Sequence, residues 1–186
     1  SEIYGNVEKN NLPVNELTKP NPISPYGLSK YISSEYVKYY KAVHDIYAVN
    51  GILFNHESAL RRDGFVLHKV INGLLDIKTN KRMEPITLGN TSVVRDWGYA
   101  PSYVVGMTMM MKPSIPKDFI LCSGNKSSLC DLIDLICDRI KIDRNYIIHD
   151  SINEKRVSEL NQIFGTNSLA KFQLNWNYPY SNKEFI

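Results

Sequence analysis

The 186-residue chain contains no apolar stretch of membrane-spanning length, which excludes a transmembrane helix within it. Its longest apolar segment, YVVGMTMMMK, is too short to span a bilayer and reads as a buried helix. Lys and Arg are scattered among acidic residues and the net charge is only +3, so the runs expected of a nucleic-acid-binding arm are missing. The first residues, SEIYGNVEKN, have neither the basic start nor the apolar core of a leader peptide. Cysteines are few: Cys122, Cys130 and Cys137 form an odd set without metal-ligand spacing. Reduced thiols, no metal and a cytoplasmic setting are therefore expected. No Gly-x-x-Gly-x-x-Gly loop occurs, so the cradle that brings a backbone against a pyrophosphate at a helix start is missing from this stretch. There is no internal repeat and no low-complexity tract.

What remains is ordinary globular composition, 43% hydrophobic and 22% charged, in a length that suits one domain or half of a larger one. Residues 5–24 are polar and proline-punctuated, hence a loop. A helix is expected from Pro25–Tyr26, with proline in its first turn, where the missing N–H costs nothing. Leu28, Ile32, Tyr36, Tyr39, Tyr40 and Val43 form its apolar stripe. YAVNGILFN reads as one buried strand, HESALRRDG as a charged loop, and FVLHKVINGLLDIK as an amphipathic helix. Strands follow in MEPITLGN and SVVRDWGYA, a helix in 100–112, a strand in DFILCSG, and a helix over 127–140 capped by Ser127 or Ser128. NYIIHD is a short strand, RVSELNQIFG a turn or short strand, and SLAKFQLN a short helix. Strands alternating with helices favour an α/β fold with parallel strands. SGNKSS lacks the first glycine and the spacing of a phosphate-binding loop, so it reads as a strand-to-helix turn with a serine cap.

The stretch SPYGLSK carries chemistry. Tyr26 and Lys30 are four apart, so a helix sets them on one face. A free phenol has a pKa of about 10 and is a poor base at neutral pH, but a neighbouring ammonium favours the phenolate. Such a pair can take a proton from a hydroxyl. With 12 tyrosines in the chain the pair alone is a weak signal, and a packed surface aromatic is the plain alternative. About two dozen residues upstream stands SEIYG, an acid at a strand end before a loop.

This layout resembles the short-chain dehydrogenase/reductase superfamily, in its extended branch. More closely it is similar to the GDP-mannose 4,6-dehydratase family. The matching pieces are SEIYG, PNPISPYGLSK, AVNGILFNHES, the arginines 61–62, FVLHK, LGN at 88–90, RDWGYA and LNW, spread over nearly the whole chain. The resemblance implies a partial Rossmann-type parallel sheet, with residues 1–58 and 95–122 the later part of the NADP-binding domain. Residues 59–94 and 123–186 would form a smaller C-terminal substrate-binding lobe. It places the glycine-rich cofactor-binding half before SEIYG, so the N-terminal cofactor-binding half is absent from this chain. It implies removal of water from GDP-mannose to give the 4-keto-6-deoxy sugar with NADP retained. Tyr26 would take the C4 hydroxyl proton, Lys30 would hold the phenolate and the cofactor ribose, and Glu2 would remove the C5 proton and help expel the C6 hydroxyl. The Thr or Ser that precedes Ser1 in the family has no counterpart. His56 and Arg61 would contact NADP. Asn55 and Glu57 would lie near substrate, and Lys69, Arg95, Arg156 and Glu159 would meet the GDP moiety. The family's Pro-Arg-Arg-Gly is Ala59-Leu60-Arg61-Arg62 here, and its Thr-Arg is Leu67-His68. Homodimers or homotetramers are implied. The alternatives are a dehydratase of a related sugar such as GDP-mannoheptose, and a non-catalytic fragment lacking the cofactor loop.

Overall fold

The computed structural model describes residues 1–150 and 160–186. In chain order the elements are α1 (Pro25–His44), β1 (Gly51–Leu53), β2 (Asn55–Glu57), α2 (Val66–Lys78), β3 (Ile86–Leu88), β4 (Val94–Tyr99) and α3 (Ala100–Met109). They continue with β5 (Phe119–Leu121), β6 (Lys126–Ser128), α4 (Leu129–Ile140), β7 (Ile147–His149), β8 (Gln162–Ile163), α5 (Ser168–Leu174) and α6 (Asn182–Phe185). A 3₁₀ turn, Glu2–Tyr4, precedes α1.

Parallel pairing dominates, as alternation of strands and helices requires. β1 pairs with β5, β2 with β4, β3 with β7, and β8 with β4, all parallel; among the described residues only β6 runs antiparallel, against β4. The segment read as one strand, 47–55, is two. It changes partner at Phe54, leaving β5 and joining β4, and β2 reaches into the expected loop as far as Glu57. The cause is nonlocal, because the partner offered to the backbone changes.

Three apolar clusters fill the interior. In α2, Leu67, Val70, Leu74 and Ile77 recur at helical spacing and pack with Leu132, Ile133 and Ile136 of α4, over Ile86 and Leu88 of β3. Gly73 is needed there, because a Cβ on it would stand 2.6 Å from the Ile86 side chain. β5 is buried on both faces. Phe119 and Leu121 meet Tyr103, Ala170 and Trp176, whereas Ile120 and Cys122 meet Ile3, Tyr4, Val14 and Phe54. That is the period-two alternation of a strand whose neighbours are apolar on either side, and it explains the unbroken run FILC.

The caps settle two boundaries. Ser128, not Ser127, caps α4: its hydroxyl accepts from Asp131 N at 3.0 Å and its own N–H donates to Asp131 Oδ2 at 3.0 Å. Ser24 caps α1, accepting from Gly27 N, with Pro25 in the first turn.

One apolar stripe has no cover, and one burial expectation holds only in part. The α1 stripe of Leu28, Ile32, Tyr36, Tyr39, Tyr40 and Val43 is exposed along its length. Helical period is a property of the segment, whereas cover has to come from another surface. α3 is half buried: Ser102, Tyr103 and Gly106 face the core, and Val104, Val105 and Met107 face outward. Among the described residues no helix is long and apolar enough to cross a membrane, and no cluster of His, Cys, Asp or Glu is arranged to hold a metal.

Candidate active site

The acid–base residues gather at the amino end of α1. The 3₁₀ turn is anchored from below, since Ile3 and Tyr4 are buried and the Tyr4 hydroxyl donates to the Asn15 carbonyl. Asn21 N donates to the Ile3 carbonyl at 2.9 Å, returning the proline-rich loop to the turn. Glu2, half buried, directs its carboxylate at the α1 cap, where the Ser24 hydroxyl donates to Glu2 Oε2 at 2.9 Å. A carboxylate suits this place, because the unpaired N–H groups of a helix start carry partial positive charge. Tyr26, two residues past the cap, is 59% exposed. Lys30 follows one turn later with its Nζ 5.4 Å from the centre of the Tyr26 ring. The phenol and the ammonium are thus neighbours on open surface.

A second group is carried by β2. Asn55, His56 and Glu57 stand opposite Trp97, Gly98 and Tyr99 of β4, with His56 on the other face from its two neighbours. His56 Nδ1 is 2.8 Å from the Phe54 carbonyl oxygen. A carbonyl only accepts, so Nδ1 carries hydrogen and Nε2 is left as the acceptor of the neutral ring. The ring tilts over Tyr103 at 5.3 Å. Arg61 Nε lies 3.4 Å from Glu57 Oε2, its guanidinium stacks 3.6 Å above the Phe65 ring, and its Nη1 reaches the His56 carbonyl. Burial raises the Glu57 carboxyl above its ordinary pKa, opposed by the charges of Arg61 and His68. A residue expected at the cofactor and one expected at the substrate are therefore ion-paired with each other. The two groups meet through the backbone, where Ser1 N donates to the Leu53 carbonyl at 2.9 Å, one residue before Phe54.

Lys69 and Arg95 stand apart from both groups. Lys69 Nζ donates to the Thr87 carbonyl at 2.8 Å, on the edge of β3. Arg95 donates to the carbonyls of Val94 and Leu160. Arg156 and Glu159 lie outside the described residues. A cleft of about 550 Å³ opens between Asn6–Lys9 and Ser92, Val94, Asn161 and Gln162; none of the described candidate side chains lines it.

Asp96 had been given no role. It is 0% exposed, at the centre of β4. Its Oδ1 accepts from Ser123 N at 2.7 Å, the Ser123 hydroxyl at 2.9 Å and the Tyr103 hydroxyl at 3.4 Å, and its Oδ2 from Gly124 N at 2.8 Å. Burial pushes its pKa up to about 6 against the pull of these donors. This network locks the turn after β5 to the strand beside His56. An acid inside the apolar run VVRDWG is the one trace of it in sequence.

The fold is shared with solved structures that include a dTDP-glucose 4,6-dehydratase and a UDP-glucuronic acid 4-epimerase. RMD from Pseudomonas aeruginosa, solved with NADPH, superposes with a TM-score of 0.89 at 20% identity, over 100% of this chain and 60% of that one. DesIV, a dTDP-glucose 4,6-dehydratase from Streptomyces venezuelae, gives 0.87 at 16% identity, over 99% and 54%. The family model for GDP-mannose 4,6 dehydratase matches residues 1–186, and the chain belongs to that family. The GDP-mannose 4,6 dehydratase of Dictyostelium discoideum is 32% identical over 100% of this chain and 56% of its own length; that of Homo sapiens is 37% identical over 72% and 35%. The chain spans about half the length, or less, of the curated relatives it matches.

Proposed function

We propose that the protein is a GDP-mannose 4,6-dehydratase that works with bound NADP. The observation that carries this is a carboxylate, Glu2, tied to the start of the helix that presents Tyr26 and Lys30 side by side. A simple reductase has no use for a carboxylate at that place; a dehydratase needs one for the proton next to the ketone.

NADP fits the exposed Lys30, whose ammonium beside Tyr26 can donate to ribose hydroxyls. Held there, NADP would supply the hydride acceptor for C4 of the hexose and the hydride donor for C6. Tyr26 accepts the C4 hydroxyl proton as the ketone forms, and the Lys30 charge offsets the charge of the phenolate. The ketone acidifies C5–H, and Glu2 removes that proton. Glu2 passes that proton to the C6 hydroxyl, which leaves as water, and a C5–C6 double bond forms. Hydride return to C6 and a proton to C5 complete a net loss of one water. Asn55 and Glu57, two and four residues beyond the Leu53 carbonyl that accepts from Ser1 N, would position the sugar, His56 and Arg61 the cofactor, and Lys69, Arg95, Arg156 and Glu159 the GDP moiety. Residues 1–58 and 95–122 would serve the cofactor, and 59–94 and 123–186 the nucleotide sugar. The enzyme would act in the cytoplasm on the route to GDP-linked deoxy sugars such as GDP-fucose. It would do so as a homodimer or homotetramer that covers the α1 stripe.

Full-length protein incubated with GDP-mannose and NADP should yield a 4-keto-6-deoxy product. Turnover of a GDP-heptose alone would assign the related reaction, and no turnover of either sugar would make the protein non-catalytic. Tyr26→Phe should lower turnover by about 10²–10⁴-fold, whereas Glu2→Gln should halt the reaction after C4 oxidation. Normal rates in both variants would refute the site.

A further inference from the structure

The Ser24 hydroxyl sits at the junction of the two catalytic elements, and its hydrogen-bond polarity is determined. Gly27 N–H donates to Ser24 Oγ at 3.0 Å and so occupies an acceptor site of that oxygen. The hydroxyl's single hydrogen is directed at Glu2 Oε2, 2.9 Å away. Glu2 and Ser24 are 22 residues apart, so this contact does not follow from helix geometry. It depends on the 3₁₀ turn pressing against the first turn of α1. Gly27 permits that approach, since a Cβ there would stand 2.6 Å from the Glu2 carbonyl oxygen.

We propose that Ser24 is a positioning residue for the elimination step: it holds Glu2 Oε2 so that Oε1 is presented to the C5 proton. Binding one carboxylate oxygen removes two rotational freedoms of the side chain, and it keeps the anion from swinging onto the other unpaired N–H groups of the helix start. The Ser24 hydroxyl oxygen also caps the helix that carries Tyr26 and Lys30. Base and phenol are thereby set from one atom, and the carboxylate keeps its place relative to α1 when the surrounding loop shifts. This rests on Glu2 being the base for C5.

The test separates a positioning role from a capping role. Glycine is nearly as good a helix cap as serine, and threonine keeps both the cap and the hydroxyl. In single-turnover experiments on full-length protein with NADP and GDP-mannose, Ser24→Gly should oxidise C4 at close to the normal rate. It should then eliminate water about 10- to 100-fold more slowly, as loss of a hydrogen bond to a charged group implies. Reduced cofactor should accumulate visibly. Ser24→Thr should retain most of the elimination rate. Adding Ser24→Gly to Glu2→Gln should leave C4 oxidation, the step that Glu2→Gln still performs, at the single-variant rate, because the hydroxyl acts on elimination through that carboxylate. If Ser24→Gly eliminates at the normal rate while Glu2→Gln does not, the positioning role is wrong and the base assignment stands. If Glu2→Gln eliminates normally, the base assignment itself fails. Equal slowing of oxidation and elimination in Ser24→Gly would make Ser24 a cap only.

Discussion

Asp96 offers a prediction that tests the fold independently of turnover. Four donors surround this fully buried carboxylate, yet burial is the larger influence and raises its pKa from an ordinary 3.8 to about 6. Tyr103 and Cys122, which face it, are themselves driven upward by burial and stay protonated over the acid range. An acid whose folded pKa lies above its unfolded one takes up protons more readily when folded. Its contribution to stability is therefore complete below the ordinary value and is lost as pH rises through about 6. Between pH 7 and about pH 4.5 the two pKa values imply a gain of about 2 kcal/mol from this group. Asp96→Asn cannot titrate. It also sets an amide NH₂ against the N–H of Gly124 or Ser123, which costs about 1–3 kcal/mol at pH 7. Urea unfolding of both proteins at the two pH values measures the gap in stability between them, and other titrating groups cancel in the comparison. The gap should widen by about 2 kcal/mol toward acid. A gap that is constant, or that narrows, would show that the donors outweigh burial, and the reasoning about this site would be wrong.

Two further outcomes follow from packing. Gly27→Ala places a methyl group against backbone that cannot swing aside, so it should cost about 1–3 kcal/mol in urea unfolding and lower turnover more than the stability loss alone accounts for. Ile133→Ala, at the fully buried contact of α4 with α2, should cost about 2–5 kcal/mol, and full recovery by Ile133→Val to within about 1.5 kcal/mol would confirm a cavity as the cause.

Local features of the chain were readable before any coordinates. The apolar spacing in 65–78 and 127–140 is repeated within a few turns, so helices α2 and α4 declare themselves together with the faces they bury. Tyr26 and Lys30 are one turn apart, and that distance is a property of any helix holding them. Proline at 25 and serine at 24 mark where that helix begins. The break at Phe54 was not readable, because a continuous apolar run is compatible with one partner or with two. The exposure of the α1 stripe was not readable either, since a pattern names a face but not what covers it.

By itself the sequence determined the period of each element, the pairing of phenol with ammonium and the motifs of the family. All of these are set by residues within a few positions of one another, or by matching short stretches in order. Tertiary structure alone decided that Glu2 meets Ser24 across 22 residues and that Asp96 finds donors 27 and 28 residues away. Each of those contacts forms only when distant segments are brought together by burying their apolar faces, and one-dimensional spacing carries no record of that distance.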